Sequence, residues 1–206
     1  RLDATPLDNH CRNVVQVYSS FLFRQPPRRD LGKLTDDVSV QGFINDADLD
    51  GRNFNTLMKD ASTYSMIYGA CWLFVDKPTT NVGTRAEELN QDIRPYVSIV
   101  TPENVTNWKY ERLANGKYDL TEVVVREDIS EEGTMYRVWT RDTISLCMLP
   151  EKGEPVILEE LPNKLGKIPA VVLYSQRSPR RYIGISSLVD VAELQQAIYN
   201  ELSEIE

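Results

Sequence analysis

The run Lys167-Ile168-Pro169-Ala170-Val171-Val172-Leu173-Tyr174, continuing through Gly184-Ile185-Ser186-Ser187-Leu188 to Glu206, decides how the chain is read. Its first part is a short apolar run with the character of a buried strand. A basic loop follows, and apolar residues then recur at helical spacing. Leu188, Val191, Leu194, Ile198, Leu202 and Ile205 form one stripe, long enough to dock on a core or on a neighbouring copy, and Ser186 or Ser187 supplies a cap. The closing residues Glu201-Leu202-Ser203-Glu204-Ile205-Glu206 carry no Gly, Asn, Pro or basic side chain, the usual signs of a helix end. With Arg1 in place of Met, the reading predicts a piece of a longer polypeptide.

Upstream of that run the pattern is one of strands. Tyr96-Val97-Ser98-Ile99-Val100 leads into a turn at Thr101-Pro102-Glu103-Asn104, and residues 108–113 and 118–126 flank Asn115-Gly116. That dipeptide is a strong hairpin signal, because both residues tolerate positive φ. Residues 135–140, 143–149 and 155–161 continue the series, and 168–174 close it as an antiparallel meander. The first 93 residues read as helical. Thr5 caps a helix with Pro6 at its first position, and Leu7, Cys11, Val14, Val15, Tyr18 and Leu22 make its apolar stripe before Pro26-Pro27 ends it. A second helix spans 52–68, Gly69-Ala70 breaks it, and Cys71-Trp72-Leu73-Phe74-Val75 follows as a strand. Residues 82–91 turn polar, an exposed loop or a short solvated helix. The predicted class is α+β: N-terminal helices, a central antiparallel β meander or sandwich, and a long C-terminal helix. The predicted parts are 1–93, 94–176 and 177–206.

Composition narrows the function. At 206 residues and 41% apolar side chains, the chain can bury a sizeable core in one large or two small domains. With 23 basic and 31 acidic residues the net charge is −8, which argues against a protein whose main task is gripping phosphates. Cys11, Cys71 and Cys147 lie far apart among apolar neighbours and predict buried free thiols in a reducing compartment rather than a disulfide or metal site. No stretch reaches the apolar length of a membrane span.

Asp46-Ala47-Asp48-Leu49-Asp50-Gly51 matches the opening of an EF-hand calcium loop, but the twelfth position is Leu57 instead of a closing Glu. An acidic loop feeding the positive pole of the next helix explains it better. His10 is the only histidine, so no multi-histidine metal shell exists, and no GxSxG, phosphate-cradling glycine loop or HExxH is present. Two basic clusters stand out in the acidic chain: Arg24, Arg28, Arg29 and Lys33 after the first helix, and Arg177, Arg180 and Arg181 around Ser178-Pro179 before the last. They are candidate contacts for nucleic acid or for an acidic face of a neighbouring subunit, with Tyr182 available for stacking; the plainer alternative is solvated loops.

Several of these segments resemble tailed-bacteriophage portal proteins. The series Leu165-Gly166-Lys167-Ile168-Pro169-Ala170-Val171-Val172, then Gly184-Ile185-Ser186-Ser187-Leu188, then Leu194-Gln195-Gln196-Ala197-Ile198-Tyr199-Asn200 is similar to that family's "G-x-I-P-V-V" strand and "G-x-S-x-L" helix with "L-Q-x-A-x-N". Tyr68-Gly69-Ala70 ahead of a strand, Thr101-Pro102-Glu103-Asn104-Val105 ahead of a hairpin, and a helix at 13–27 running into prolines also follow the family's order. Ala170, where the family has valine, is the visible departure, and a smaller side chain there still suits a buried strand. The resemblance implies the wing region of a non-enzymatic subunit in a homo-oligomeric ring, usually twelvefold, at one capsid vertex of the virion, assembled in the host cytoplasm. It implies double-stranded DNA in the tunnel, terminase, capsid and head-to-tail adaptor proteins as partners, no membrane, and no catalytic residue, metal or cofactor. The alternative reading is an accessory domain of a nucleic-acid-processing enzyme that uses the arginine clusters. A third is a calcium-regulated adaptor built on the Asp46 loop.

Overall fold

The computed structural model describes residues 9–78, 83–130 and 132–205. The chain forms two compact units, one of Arg1–Ile99 with Val172–Glu206, the other of Val100–Val171. The three consecutive parts read from the sequence therefore regroup: the closing helix returns to the N-terminal unit instead of standing as a separate part.

The first unit begins with helix α1, His10–Leu22. Asn9 caps it, its side chain accepting from the Arg12 N–H at 2.8 Å; the expected Thr5-Pro6 start lies outside the described residues. Two short elements follow that the periodicity missed, a 3-10 turn at Gly32–Leu34 and helix α2 at Val38–Asn45, capped by the Asp37 carboxylate. Helix α3, Phe54–Tyr68, is capped by Asn53 and stopped by Gly69, whose φ of 85° only glycine adopts without strain. Strand β1, Ala70–Asp76, leaves this stop directly. Helix α4, Arg85–Asn90, is six residues long and carries a capping box of Thr84 and Glu87. Strand β2 is Tyr96–Val100 and strand β8 is Ala170–Tyr174.

Here the structure corrects the reading of the strands. β2 and β8 do not open and close the meander; they flank β1 in a separate three-stranded sheet, ordered β2-β1-β8. The reason is burial. Ala70, Cys71, Trp72 and Phe74 are almost wholly enclosed, so β1 is a central strand that needs a neighbour on each side. Ala47, Leu57 and Val97 form a core cluster joined by Phe43, Phe54, Met58, Leu73 and Ile99. Each large apolar side chain buried in this way stabilises the unit by about 1.5–3 kcal/mol. A two-stranded ribbon, β9 (Gln176–Arg177) with β10 (Gly184–Ile185), precedes helix α5 at Val189–Ile205. The Cys11 N–H donates to the Gln195 side chain at 3.3 Å, tying the start of α1 to α5.

The second unit is a five-stranded antiparallel meander of β3 (Val105–Arg112), β4 (Tyr118–Ser130), β5 (Gly133–Thr140), β6 (Thr143–Leu149) and β7 (Val156–Pro162). The Asn115-Gly116 turn joins β3 to β4 as expected, with Gly116 at φ 81°. Leu120, Val123, Val125 and Trp139 are buried on the meander. Register slips where β3 passes Thr106 and where β7 passes Leu158, so both outer strands carry a bulge.

Candidate functional site

The second arginine cluster sits on the ribbon of β9 and β10, and its footing is unusually tight. The last turn of α3 leaves carbonyls without helical partners, as every helix end does. The Met66 carbonyl accepts from the Ser186 hydroxyl at 3.0 Å and from the Ser187 N–H at 3.1 Å, and the Gly69 carbonyl accepts from the Ser175 N–H at 2.9 Å. The Ser186 oxygen also accepts from the Leu188 N–H at 3.1 Å, closing a turn ahead of α5; the helix opens at Val189, so neither Ser186 nor Ser187 stands at the expected cap position. Gly184 rests on the backbone of Gly69 with no room for a Cβ on either residue.

Tyr182, expected to offer a stacking surface beside the arginines, spends a face of its ring internally. It is half-buried and stacks on Trp72 with centroids 5.6 Å apart and planes 23° off parallel. Its backbone holds a left-handed φ of 62°. The Arg177 guanidinium lies 5.1 Å above the Tyr174 ring. Burial raises the Tyr174 pKa, with Arg177, the Tyr182 backbone and Arg181 pulling the other way. Arg177, Arg180 and Arg181 are all exposed, on a loop closed by the Ser178 N–H donating to the Ile183 carbonyl at 3.2 Å.

The first cluster is placed elsewhere. Arg24, Arg28 and Arg29 are exposed in the segment after α1, and the Arg29 guanidinium covers the Phe54 ring at 4.9 Å. Phe54 begins α3, whereas the ribbon meets its far end. Arg29 and the ribbon therefore meet that helix at points about 20 Å apart.

The Asp46–Gly51 loop is organised by protein cations. The Asp48 carboxylate accepts from the N–H groups of Asp50 and Arg52 at 3.0 and 3.1 Å and pairs with the Arg52 guanidinium. Burial pushes its pKa up, but these hydrogen bonds more than reverse that and leave it lowered. Asp46 accepts from the Gly51 N–H at 2.9 Å and from Arg94 at 2.8 Å. Sequence reasoning missed Arg94, which is only 4% exposed, donates also to the Asp46 carbonyl and to Asp92, and packs its stem against Gly42. A lone arginine between Ile93 and Pro95 gives no signal in periodicity; only the acidic loop 48 residues earlier hinted at a counter-ion.

Among the described residues no group of three or more His, Cys, Asp or Glu is placed to hold a metal. A cleft of about 280 Å³ between α2 and α4 is lined by Asp37, Lys77, Arg85 and Glu88, and these pair off as Lys77–Glu88 at 2.6 Å and Arg85–Asp37 at 3.0 Å. The three thiols are free; Cys71 is buried, while Cys11 and Cys147 are only half-buried. Among the described residues no helix is long and apolar enough to cross a membrane. Neither a protein-family model nor a curated protein sequence matches the chain.

Proposed function

We propose that this chain is the wing region of a portal-ring subunit, a non-enzymatic scaffold at a capsid vertex through which double-stranded DNA passes. The observation that carries the reading is the junction at the end of α3. Tyr68-Gly69-Ala70 and Gly184-Ile185-Ser186-Ser187-Leu188, two of the segments that resemble the family, lie more than a hundred residues apart in sequence. They meet backbone to backbone, with Met66, Ser186 and Ser187 hydrogen-bonded across the seam. Residues whose spacing looked like a family pattern thus share one physical task.

Two further features suit the same reading. Thr101-Pro102-Glu103-Asn104-Val105 is latched to the meander by Arg126, which donates to the Asn104 side chain at 3.0 Å and to the Glu103 carbonyl at 3.3 Å. Val17, Tyr18, Phe21 and Leu22 on α1 and Leu194, Ile198 and Leu202 on α5 are exposed, and greasy helix faces of this kind are stabilised when neighbouring surfaces cover them. On this reading the net charge of −8 keeps passing DNA from adhering. Terminase and head-to-tail adaptors are the partners it implies.

The test is negative-stain microscopy of the intact protein together with its mass in solution. Closed rings, twelvefold being the first expectation, support the proposal. A stable monomer that turns over a substrate or binds DNA in a tight, salt-dependent manner overturns it and favours the accessory-domain alternative.

A further inference from the structure

We propose that the outer face of α5 seats the β9–β10 ribbon of a second copy of this chain. The inference rests on the ring reading and adds to it the pair of surfaces that meet.

The helix has two exposed characters. At 100° per residue, Asp190, Glu193, Glu201 and Glu204 fall within about 80° of arc. The adjoining arc holds Leu194 and Ile198, which are 62% and 38% exposed; Leu202, 44% exposed, lies in line with Val191 and Gln195 on the last turns. The 17 residues of α5 include no Lys or Arg. Its inner side is used in its own fold, where Leu188 is buried, Val191, Gln195 and Tyr199 are half-buried, and Gln195 accepts from Cys11. Like charges three residues apart, Asp190 with Glu193 and Glu201 with Glu204, repel along the helix surface. An apolar strip edged by carboxylates, on a helix with no basic residue of its own, asks for a partner that is partly apolar and locally cationic.

The ribbon is such a partner. It carries three exposed arginines within five residues, with Pro179 and Ile185 also exposed. No acidic residue occurs between Lys167 and Val189. The seat of Gly184 on Gly69 and the stack of Tyr182 on Trp72 fix the ribbon before any encounter, so little ordering cost remains on docking. Two different patches of one chain that complement each other give a heterologous contact, which propagates head to tail and closes when the rotation permits.

The experiment follows assembly of the intact protein by mass photometry across a concentration series. It uses wild type, R180E/R181E, E193R/E201R and the variant carrying all four changes. All four side chains are exposed, and an unchanged melting curve checks that each variant is folded. Either reversal alone is expected to raise the concentration for half-assembly about tenfold or more, and the combination to bring it back. Unaltered assembly in both double variants overturns the inference while leaving the ring reading intact. So does a defect in both that the combination does not repair. Normal rings from E193R/E201R that now retain DNA also overturn it, by assigning the helix face to nucleic acid. A wild type that never assembles overturns the ring reading itself.

Discussion

Gly69 and Gly184 occupy each other's side-chain space. A Cβ on Gly69 would stand 2.6 Å from the carbonyl carbons of both Gly184 and Ile185, and one on Gly184 would strike the Gly69 carbonyl. The contact joins the stop of α3 to the approach of α5, beside the hydrogen bonds of Ser186 and Ser187 to the Met66 carbonyl.

Gly69→Val should therefore destabilise the protein by about 2–4 kcal/mol, combining backbone crowding with a β-branched side chain at positive φ. Gly184→Ala should cost a comparable amount. Urea denaturation of both variants checks this; a midpoint unchanged in either would mean that the two backbones can part without loss.

Arg94→Met removes the cation that holds the Asp46 loop and leaves the stem packing on Gly42 largely in place. The partner carboxylates are partly solvated, which discounts the penalty for leaving them alone, so a loss of about 2 kcal/mol is expected. Calorimetric titration with calcium should give no saturable heat at micromolar levels in the wild type. A signal that vanishes in Asp48→Ala would reinstate the adaptor reading.

The Asp48 carboxyl predicts a pH signature. Its folded pKa lies below the ordinary value of 3.8, so it adds stability that is fully present above that value and disappears as pH falls through the folded one. Comparing wild type with Asp48→Asn by denaturant midpoint, the wild-type advantage should be full at neutral pH and shrink in strong acid. An advantage that grows on acidification would contradict the hydrogen-bonded carboxylate.

Burial pushes the Cys71 thiol up to about 11, and its Sγ donates to the Ala61 carbonyl at 3.2 Å. In the native protein an alkylating reagent near pH 8 should label Cys11 and Cys147 first and reach Cys71 only on unfolding. Peptide mapping after timed quenching reads the order directly.

Local signals were legible where one residue type has one physical use. Asn115-Gly116 marked its hairpin, and Gly69 marked the end of α3, because each satisfies a backbone demand independent of the rest of the fold. Partner choice was not legible. β2 and β8 look in sequence like further meander strands, yet β1 claims both, since apolar runs record burial and not which neighbour provides it. α2 escaped because Gly42 and β-branched residues obscure its period, although Asp37 stood ready as its cap. Arg94 and the Tyr182–Trp72 stack are long-range pairings with no local trace. The arginine clusters were visible as charge, but the contact of Arg29 with Phe54 and the seat of the ribbon on the end of α3 depended on tertiary placement.

The bulges at Thr106 and Leu158 bear on how this chain avoids trouble in a crowded cell. Each interrupts the outer rim of the meander, and Pro155 and Pro162 bracket one of those rims with residues lacking an amide proton. Strand-by-strand extension into fibrils is obstructed at both rims, so the apolar Val156-Ile157-Leu158 segment can stay exposed without becoming a template for aggregation.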